Sequence, residues 1–234
     1  MVWITRTAWC WRVADWPNKK GRNSMKQILA FGDSNTWGLI PGTGDRYPEH
    51  VRWTGILRKA VAQRSFGILE DGVCGRTTVF EDPFRSGRRG IDSIAQYRDT
   101  KSLSAVILML GTNDCKTVFR ASPEQIGCGL EQCLVRFSEF ILPERILVVS
   151  PLLLGKDVWL PEKDPAFDRR SVETCAALKA VYRKIAEKRG CPFLAASDFA
   201  SVSHADEEHL NAEGHEHLAE AFLEKIAAAG FLRA

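Results

Sequence analysis

From Met25 onward the hydrophobic positions fall into two alternating kinds of segment. Short uninterrupted apolar runs at 27–31, 66–69, 105–110, 145–149 and 193–195 have the length and composition of strands buried on both faces. Between them apolar residues recur every three or four positions, which is the spacing of one helix face. Within 52–63 that face is Trp53, Ile56, Leu57, Ala60 and Val61. Ser122, Pro123 and Gln125 form a capping box with proline at the first helical position, followed by Ile126, Leu130, Cys133, Leu134 and Phe137. Cys175, Leu178, Val181, Tyr182 and Ile185 make a third stripe that stops at Gly190, and Leu218, Phe222 and Ile226 a fourth that closes at Gly230.

Strand and helix taking turns predicts an α/β domain over 25–234, a five-stranded parallel sheet with right-handed crossovers and helices on both faces. Residues 1–24 break the pattern. They hold four of the seven tryptophans and show neither period, and Arg6, Arg12 and Asp15 interrupt any signal-peptide core. They are expected to be an extension dispensable for folding, or the product of an upstream start.

Composition narrows the function classes. Of 234 residues 45% are hydrophobic and 26% charged, which suits a water-soluble domain with a sizeable core. A net charge of +3 from 32 basic and 29 acidic side chains is near balance, so no basic face suggests nucleic acid. No apolar run nears the roughly 18 residues of a membrane span. The seven cysteines contain no CxxC pair and read as reduced thiols, which points to a cytoplasmic chain.

In a parallel sheet, ligands bind beyond the carboxyl ends of the strands. Gly32-Asp33-Ser34-Asn35 follows the first run, Asp71-Gly72-Val73 the second, Gly111-Thr112-Asn113-Asp114 the third, and Ser203 to His209 the fifth. Acyl transfer needs these parts. A serine hydroxyl needs an imidazole to take its proton, and His209 can serve Ser34 in that role. A carboxylate must fix the imidazole tautomer, and Asp206 stands three residues earlier. The backbone N–H groups of Ser34 and Gly72 and the Asn113 amide are candidate oxyanion donors.

These blocks carry a resemblance. GDSN at Ser34, Gly72 in EDGVCGRTT, Asn113 in MLGTND and the DxxH at Asp206 to His209 resemble the four blocks of the SGNH hydrolases, the GDSL-like esterase superfamily. TWG at 36–38, RWTG at 52–55 and GRTT at 75–78 are similar to its arylesterase and acyltransferase branch. The resemblance implies a flavodoxin-like three-layer αβα fold and a Ser34–Asp206–His209 triad. It implies a small acyl ester as substrate, no metal or organic cofactor, and a homo-oligomer in many relatives. The reading is then a serine esterase forming an acyl-enzyme, with acyl transfer where an alcohol competes with water.

Other readings were weighed. Alone, Ser34-Asn35 after a strand reads as a turn or helix cap; four blocks in order read as chemistry. Trp37 and Trp53 read as packing residues, with Trp37 close enough to Ser34 to line an acyl pocket and so the candidate substrate contact, and Arg76 reads as a solvated charge. His204, His209, His215 and His217 cluster near Asp206, so a metal-dependent hydrolase is an alternative, although His215 and His217 are two apart on a helix and diverge. A non-catalytic binder of acylated ligands is a second. Thr36 breaks a GxSxG elbow, and GLIPGTGD matches no phosphate-binding loop. Two departures from the family pattern stand out. Glu207-Glu208 replaces the usual Gly-Ile between Asp206 and His209, which favours imidazolium and shifts activity to higher pH. The stretch 151–170, expected to be a loop, lacks a proline-rich run and is expected to border the substrate pocket.

Overall fold

The computed structural model describes residues 25–233, so the N-terminal extension lies outside the described residues. Five strands, β1 (Lys26–Gly32), β2 (Phe66–Gly72), β3 (Leu103–Met109), β4 (Ile146–Ser150) and β5 (Phe193–Ala195), form one sheet. It is parallel throughout, in the order β2-β1-β3-β4-β5. Among the described residues six α-helices accompany them: α1 (Ser34–Trp37), α2 (Trp53–Ala62), α3 (Gly90–Ile94), α4 (Pro123–Ser138), α5 (Arg169–Arg189) and α6 (Ala212–Ala228).

The side each helix takes follows from the direction of the crossover. After β1 the chain steps one way to β2, whereas every later crossover runs the other way. A right-handed connection therefore puts α2 on one face and α3, α4 and α5 on the other. Alternate side chains of β1 and β3 serve the two faces. Leu29, Phe31, Val106 and Leu108 meet α4 and α5, while Ile28, Ala30, Ala105 and Ile107 meet α2 and α6. Between β1 and β3 the chain leaves in opposite directions, opening a crevice at their carboxyl ends.

The helix boundaries carry their sequence signals. Ser122 accepts from the Gln125 N–H and the Gln125 side chain returns to the Ser122 N–H, closing the capping box before α4. Gly190, in the left-handed region at φ 71°, ends α5. That helix begins at Arg169, inside the stretch expected to be loop, because Asp168 caps it through the Ser171 N–H. β2 runs past its apolar residues into Glu70, Asp71 and Gly72. An edge strand tolerates this where the polar side chains are paired, and Glu70 is held by Arg46, Arg52 and Arg58 at 2.8, 3.0 and 2.9 Å. No helix among the described residues is long and apolar enough to cross a membrane.

The α2–α6 layer is anchored by Phe222, fully buried with its ring centroid 4.7 Å from that of Trp53. Phe222→Ala is expected to lower the unfolding free energy by about 3–5 kcal/mol, read as a fall in the urea midpoint at unchanged m-value. A shift below about 1 kcal/mol would show that this layer is not a fixed part of the core.

Candidate active site

Ser34 is presented by a sharp turn at the end of β1. Gly32 permits it, since a Cβ there would collide with the Thr36 side chain and the Met109 carbonyl. Asp33 then caps α1, its carboxylate accepting the Asn35 N–H at 3.0 Å. Ser34 becomes the first helical residue, and its own N–H belongs to the set that a helix start leaves without an intrahelical partner.

The opposing side chains come from the loop between β5 and α6. An antiparallel bridge of Val202 with Leu210 and a 2.7 Å bond from the Ser203 N–H to the His209 carbonyl close its neck. Asp206 organises its interior. One carboxylate oxygen accepts the N–H groups of Glu208 and His209 at 3.1 and 3.0 Å, and the other accepts Gly42 N–H at 3.0 Å. That second oxygen also lies 2.8 Å from His209 Nδ1, and His209 Nε2 lies 2.8 Å from Ser34 Oγ. Serine, imidazole and carboxylate thus form one unbroken chain, with all three residues buried.

Asn35 links the two halves. Its Nδ2 donates to the Glu208 carbonyl at 3.3 Å and its Oδ1 accepts the Leu210 N–H at 3.0 Å, gripping the backbone on either side of His209. The Trp53 indole donates to the Asn35 carbonyl at 3.0 Å and fixes the turn against α2. Its sequence position after a strand predicts a turn-forming role for Asn35 but does not reveal that its side chain spans to the histidine loop.

Comparison with known proteins agrees with this geometry. The model of the GDSL-like lipase/acylhydrolase family matches residues 30–217. The chain belongs to that family. It is a carboxylic ester hydrolase, and solved structures similar to it with the same SGNH fold include esterases. Est24, a carbohydrate acetylesterase from Sinorhizobium meliloti, is 31% identical at a TM-score of 0.77, over 87% of this chain and 99% of that one. The aryl esterase of M. smegmatis is 28% identical at a TM-score of 0.77 with the same coverage of each. A further carbohydrate acetylesterase family member from Sinorhizobium meliloti is 25% identical at a TM-score of 0.76, over 90% of this chain and 100% of that one. Comparison of the sequence with curated proteins finds no match.

Of the family's glycine and asparagine blocks, the structure brings Asn113 to the crevice and turns Gly72 away. Asn113 follows β3, is buried, and donates from Nδ2 to the Arg76 carbonyl at 3.2 Å, leaving that amide a second hydrogen to offer. Gly72 pairs with Gly32 in a register where Val73 N–H bonds the Gly32 carbonyl at 3.1 Å. In a parallel ladder the N–H of Gly72 then points away from β1, off the open edge of the sheet. The expected donor role of Gly72 is therefore corrected. Its missing Cβ serves packing, because a side chain there would meet the Trp37 amide nitrogen. The backbone that does run beside Asn113 is Gly75-Arg76, with Gly75 in the left-handed region at φ 82°.

Arg76 is also corrected, from solvated charge to buried clamp. Its guanidinium donates to the carbonyls of Gly32 and Asp71 at 3.0 and 2.6 Å and to the Asp71 carboxylate at 2.8 Å, over the Phe31 ring. It ties together the ends of β1 and β2. Asp114 does the same between β2 and β3, accepting both the N–H and hydroxyl of Thr78; burial raises its pKa to about 6 against those bonds. Trp37 is half-buried at the far end of α1, with the Arg46 guanidinium 5.3 Å over its ring. The other histidines do not join the site as a group: His215 Nδ1 accepts the Trp53 N–H at 3.3 Å, and burial followed by Arg52 lowers its pKa to about 4. Among the described residues, no three His, Cys, Asp or Glu side chains are grouped to hold a metal ion.

The two glutamates have opposite fates. Glu207 adopts φ 57° and turns toward the 155–163 segment, accepting Asp157 N–H at 2.6 Å and pairing with Lys163 at 2.7 Å, while its carbonyl takes the Gly155 N–H at 2.8 Å. It pins the 155–163 segment to the histidine loop, so the two departures from the family pattern are one linked feature. Glu208 turns inward, with Oε1 3.8 Å from His209 Nε2. Burial pulls the His209 pKa down, but the charges of Glu208, Asp206 and Asp33 and the Asp206 hydrogen bond outweigh it and leave it raised. Burial pushes the Asp206 carboxyl up, yet its bonds and charge interaction with His209 hold it below the ordinary value.

Removing the Glu208 charge should therefore lower the His209 pKa. Glu208→Gln takes away an anion that favours imidazolium, and an NMR titration of His209 is expected to move toward acid. An unmoved titration would mean that Asp206 and Asp33 alone raise it.

Proposed function

We propose that this protein is a serine esterase hydrolysing short-chain acyl esters through an acyl-enzyme. The observation that carries this reading is the Ser34 Oγ–His209–Asp206 chain, with both of its hydrogen bonds at 2.8 Å. Ser34 attacks the ester carbonyl as His209 Nε2 takes its proton, and Asp206 holds the tautomer with Nδ1–H pointed at itself and stabilises the imidazolium. Nε2–H then returns the proton to the leaving alcohol. A water, losing its proton to Nε2 in turn, releases the acid and restores Ser34.

The oxyanion that forms in both steps is assigned to the Ser34 N–H, the free hydrogen of Asn113 Nδ2 and the Gly75 N–H. Gly75 replaces Gly72 in this set because its backbone borders Asn113. Trp37, three residues beyond Ser34 on α1, is the proposed wall of the acyl pocket, with Arg46 fixing its ring. The similar structures named as carbohydrate acetylesterase and aryl esterase support acetyl and other short acyl groups on sugar or aryl alcohols as the substrate class. An alcohol that replaces water in the second step would give acyl transfer.

Two measurements test the reading with an aryl acetate. Ser34→Ala is expected to lower kcat by roughly three orders of magnitude or more, and Asn113→Ala by roughly 100- to 1000-fold with little change in KM. Near-normal turnover by Ser34→Ala would remove it as nucleophile. Because the base must be neutral imidazole and its pKa is raised, kcat/KM should rise with pH through a midpoint above the usual histidine value of about 6.5. A midpoint below that value would contradict the charge arrangement around His209.

A further inference from the structure

Glu208 is a carboxylate near His209 that the mechanism above leaves without a task and that, unlike Asp33, caps no helix. Its residue is 5% exposed, and no hydrogen bond from a described residue reaches its carboxylate. Burial disfavours its charge, as do Asp164 and Asp206, while His209 and Lys116 favour it. Lys116 lies three residues beyond Asn113 and pairs with Asp164 at 3.2 Å, so these groups border the same crevice. The Glu208 carboxylate approaches Nε2, the nitrogen that handles the reacting proton, and not Nδ1, which Asp206 occupies.

We propose that Glu208 selects water over alcohols as the acceptor of the acyl group, by accepting the second hydrogen of a water held at His209 Nε2. The inference rests on the serine-esterase reading. In the resting site Ser34 Oγ fills the position at Nε2. Once the serine is acylated it has no proton to share, and the acceptor takes its place. Two groups 3.8 Å apart can both be reached by one oxygen-bound pair of hydrogens. Water carries two: one goes to Nε2 as its oxygen bonds to the acyl carbon, the other to Glu208 Oε1. When the C–Oγ bond breaks, the Nε2 proton passes to Ser34 Oγ and the acid leaves. Glu208 gains no proton; it orients the nucleophile.

An alcohol has a single hydroxyl hydrogen, which Nε2 must have. Binding it at the same point leaves the buried carboxylate facing an alkyl group without its hydrogen bond. The apolar Gly-Ile pair that the resemblance would place here imposes no such penalty.

The experiment is partition of one acyl-enzyme. The full chain is given an aryl acetate and a fixed concentration of a primary alcohol, at a pH above the acid limb of each form, and acid and ester products are counted. Both routes use the same base, so a shifted His209 pKa or a partly folded preparation cancels from the ratio. Glu208→Ile is expected to raise the ester-to-acid ratio by roughly tenfold or more, the size of a lost hydrogen bond to a charged group. Glu208→Gln, which keeps an acceptor oxygen of similar reach, should raise it less. Equal ratios in wild type and both variants would overturn the proposal while leaving esterase activity intact. If instead Ser34→Ala released the aryl alcohol as fast as wild type, the acyl-enzyme itself would fall, and this inference with it.

Discussion

Everything else in the site serves the contact between His209 Nε2 and Ser34 Oγ, two groups 175 residues apart in the chain. For the proposed proton transfer, an ångström of error there would cost orders of magnitude in rate. The structure suppresses that error by binding the two loops to each other and not only to the sheet. Asn35, next to Ser34, grips the backbone at 208 and 210, so any shift of the Ser34 turn carries the histidine loop with it. Asp206 binds the loop's own backbone and Gly42, so the imidazole rests on a carboxylate that is itself fixed from three sides.

That arrangement depends in turn on buried polar side chains at the strand ends. Asp33, Arg76, Asn113 and Asp114 are each at most 5% exposed. Removing them from water is unfavourable unless their hydrogen-bonding groups are matched. Here the matches also set the spacing of the strand ends: Arg76 joins β1 to β2, and Asp114 joins the segment after β2 to the one after β3. The same bonds that offset burial therefore position Asn113 and the Gly75 backbone. A crevice at a change of chain direction gives the space, and the buried network gives it a fixed shape.

Much of this was legible in the sequence because it is periodic or local. The five strand positions, the capping box at Ser122 and the glycine stop at Gly190 are set by neighbours within a few residues. Ser34, Asp206, His209 and Asn113 were marked by their position after strands. What escaped depends on register or distant pairing. Whether a glycine N–H at the end of β2 faces the crevice is decided by which residue of β1 it opposes, and one residue along a strand reverses it; Gly72 failed on that point. Arg76 reads as solvated because two of its three partners, the carbonyls of Gly32 and Asp71, have no side-chain signature, and the third, the Asp71 carboxylate, comes within reach only once β2 and the turn after it are in place. The start of α5 inside an expected loop leaves no signal because its apolar stripe begins only at Cys175, about two turns after Asp168 caps it.

The run Asp206-Glu207-Glu208-His209 shows how one backbone angle sorts like residues into different work. Three consecutive carboxylates beside one imidazole would repel one another if all faced it. At Glu207 the chain enters the left-handed region, a conformation that costs a non-glycine residue roughly 1–2 kcal/mol. The strain is offset by Lys163 and the Asp157 N–H, which hold the side chain toward the 155–163 segment. With Glu207 removed from the imidazole, Asp206 and Glu208 reach opposite ring nitrogens, 2.8 Å from Nδ1 and 3.8 Å from Nε2. The shorter contact is a direct hydrogen bond, whereas the longer one leaves the carboxylate and the ring nitrogen side by side, both within reach of one oxygen placed next to them. Glycine would enter this backbone region more readily than glutamate, but it could not anchor the 155–163 segment, so here the angle and the anchor come from the same residue.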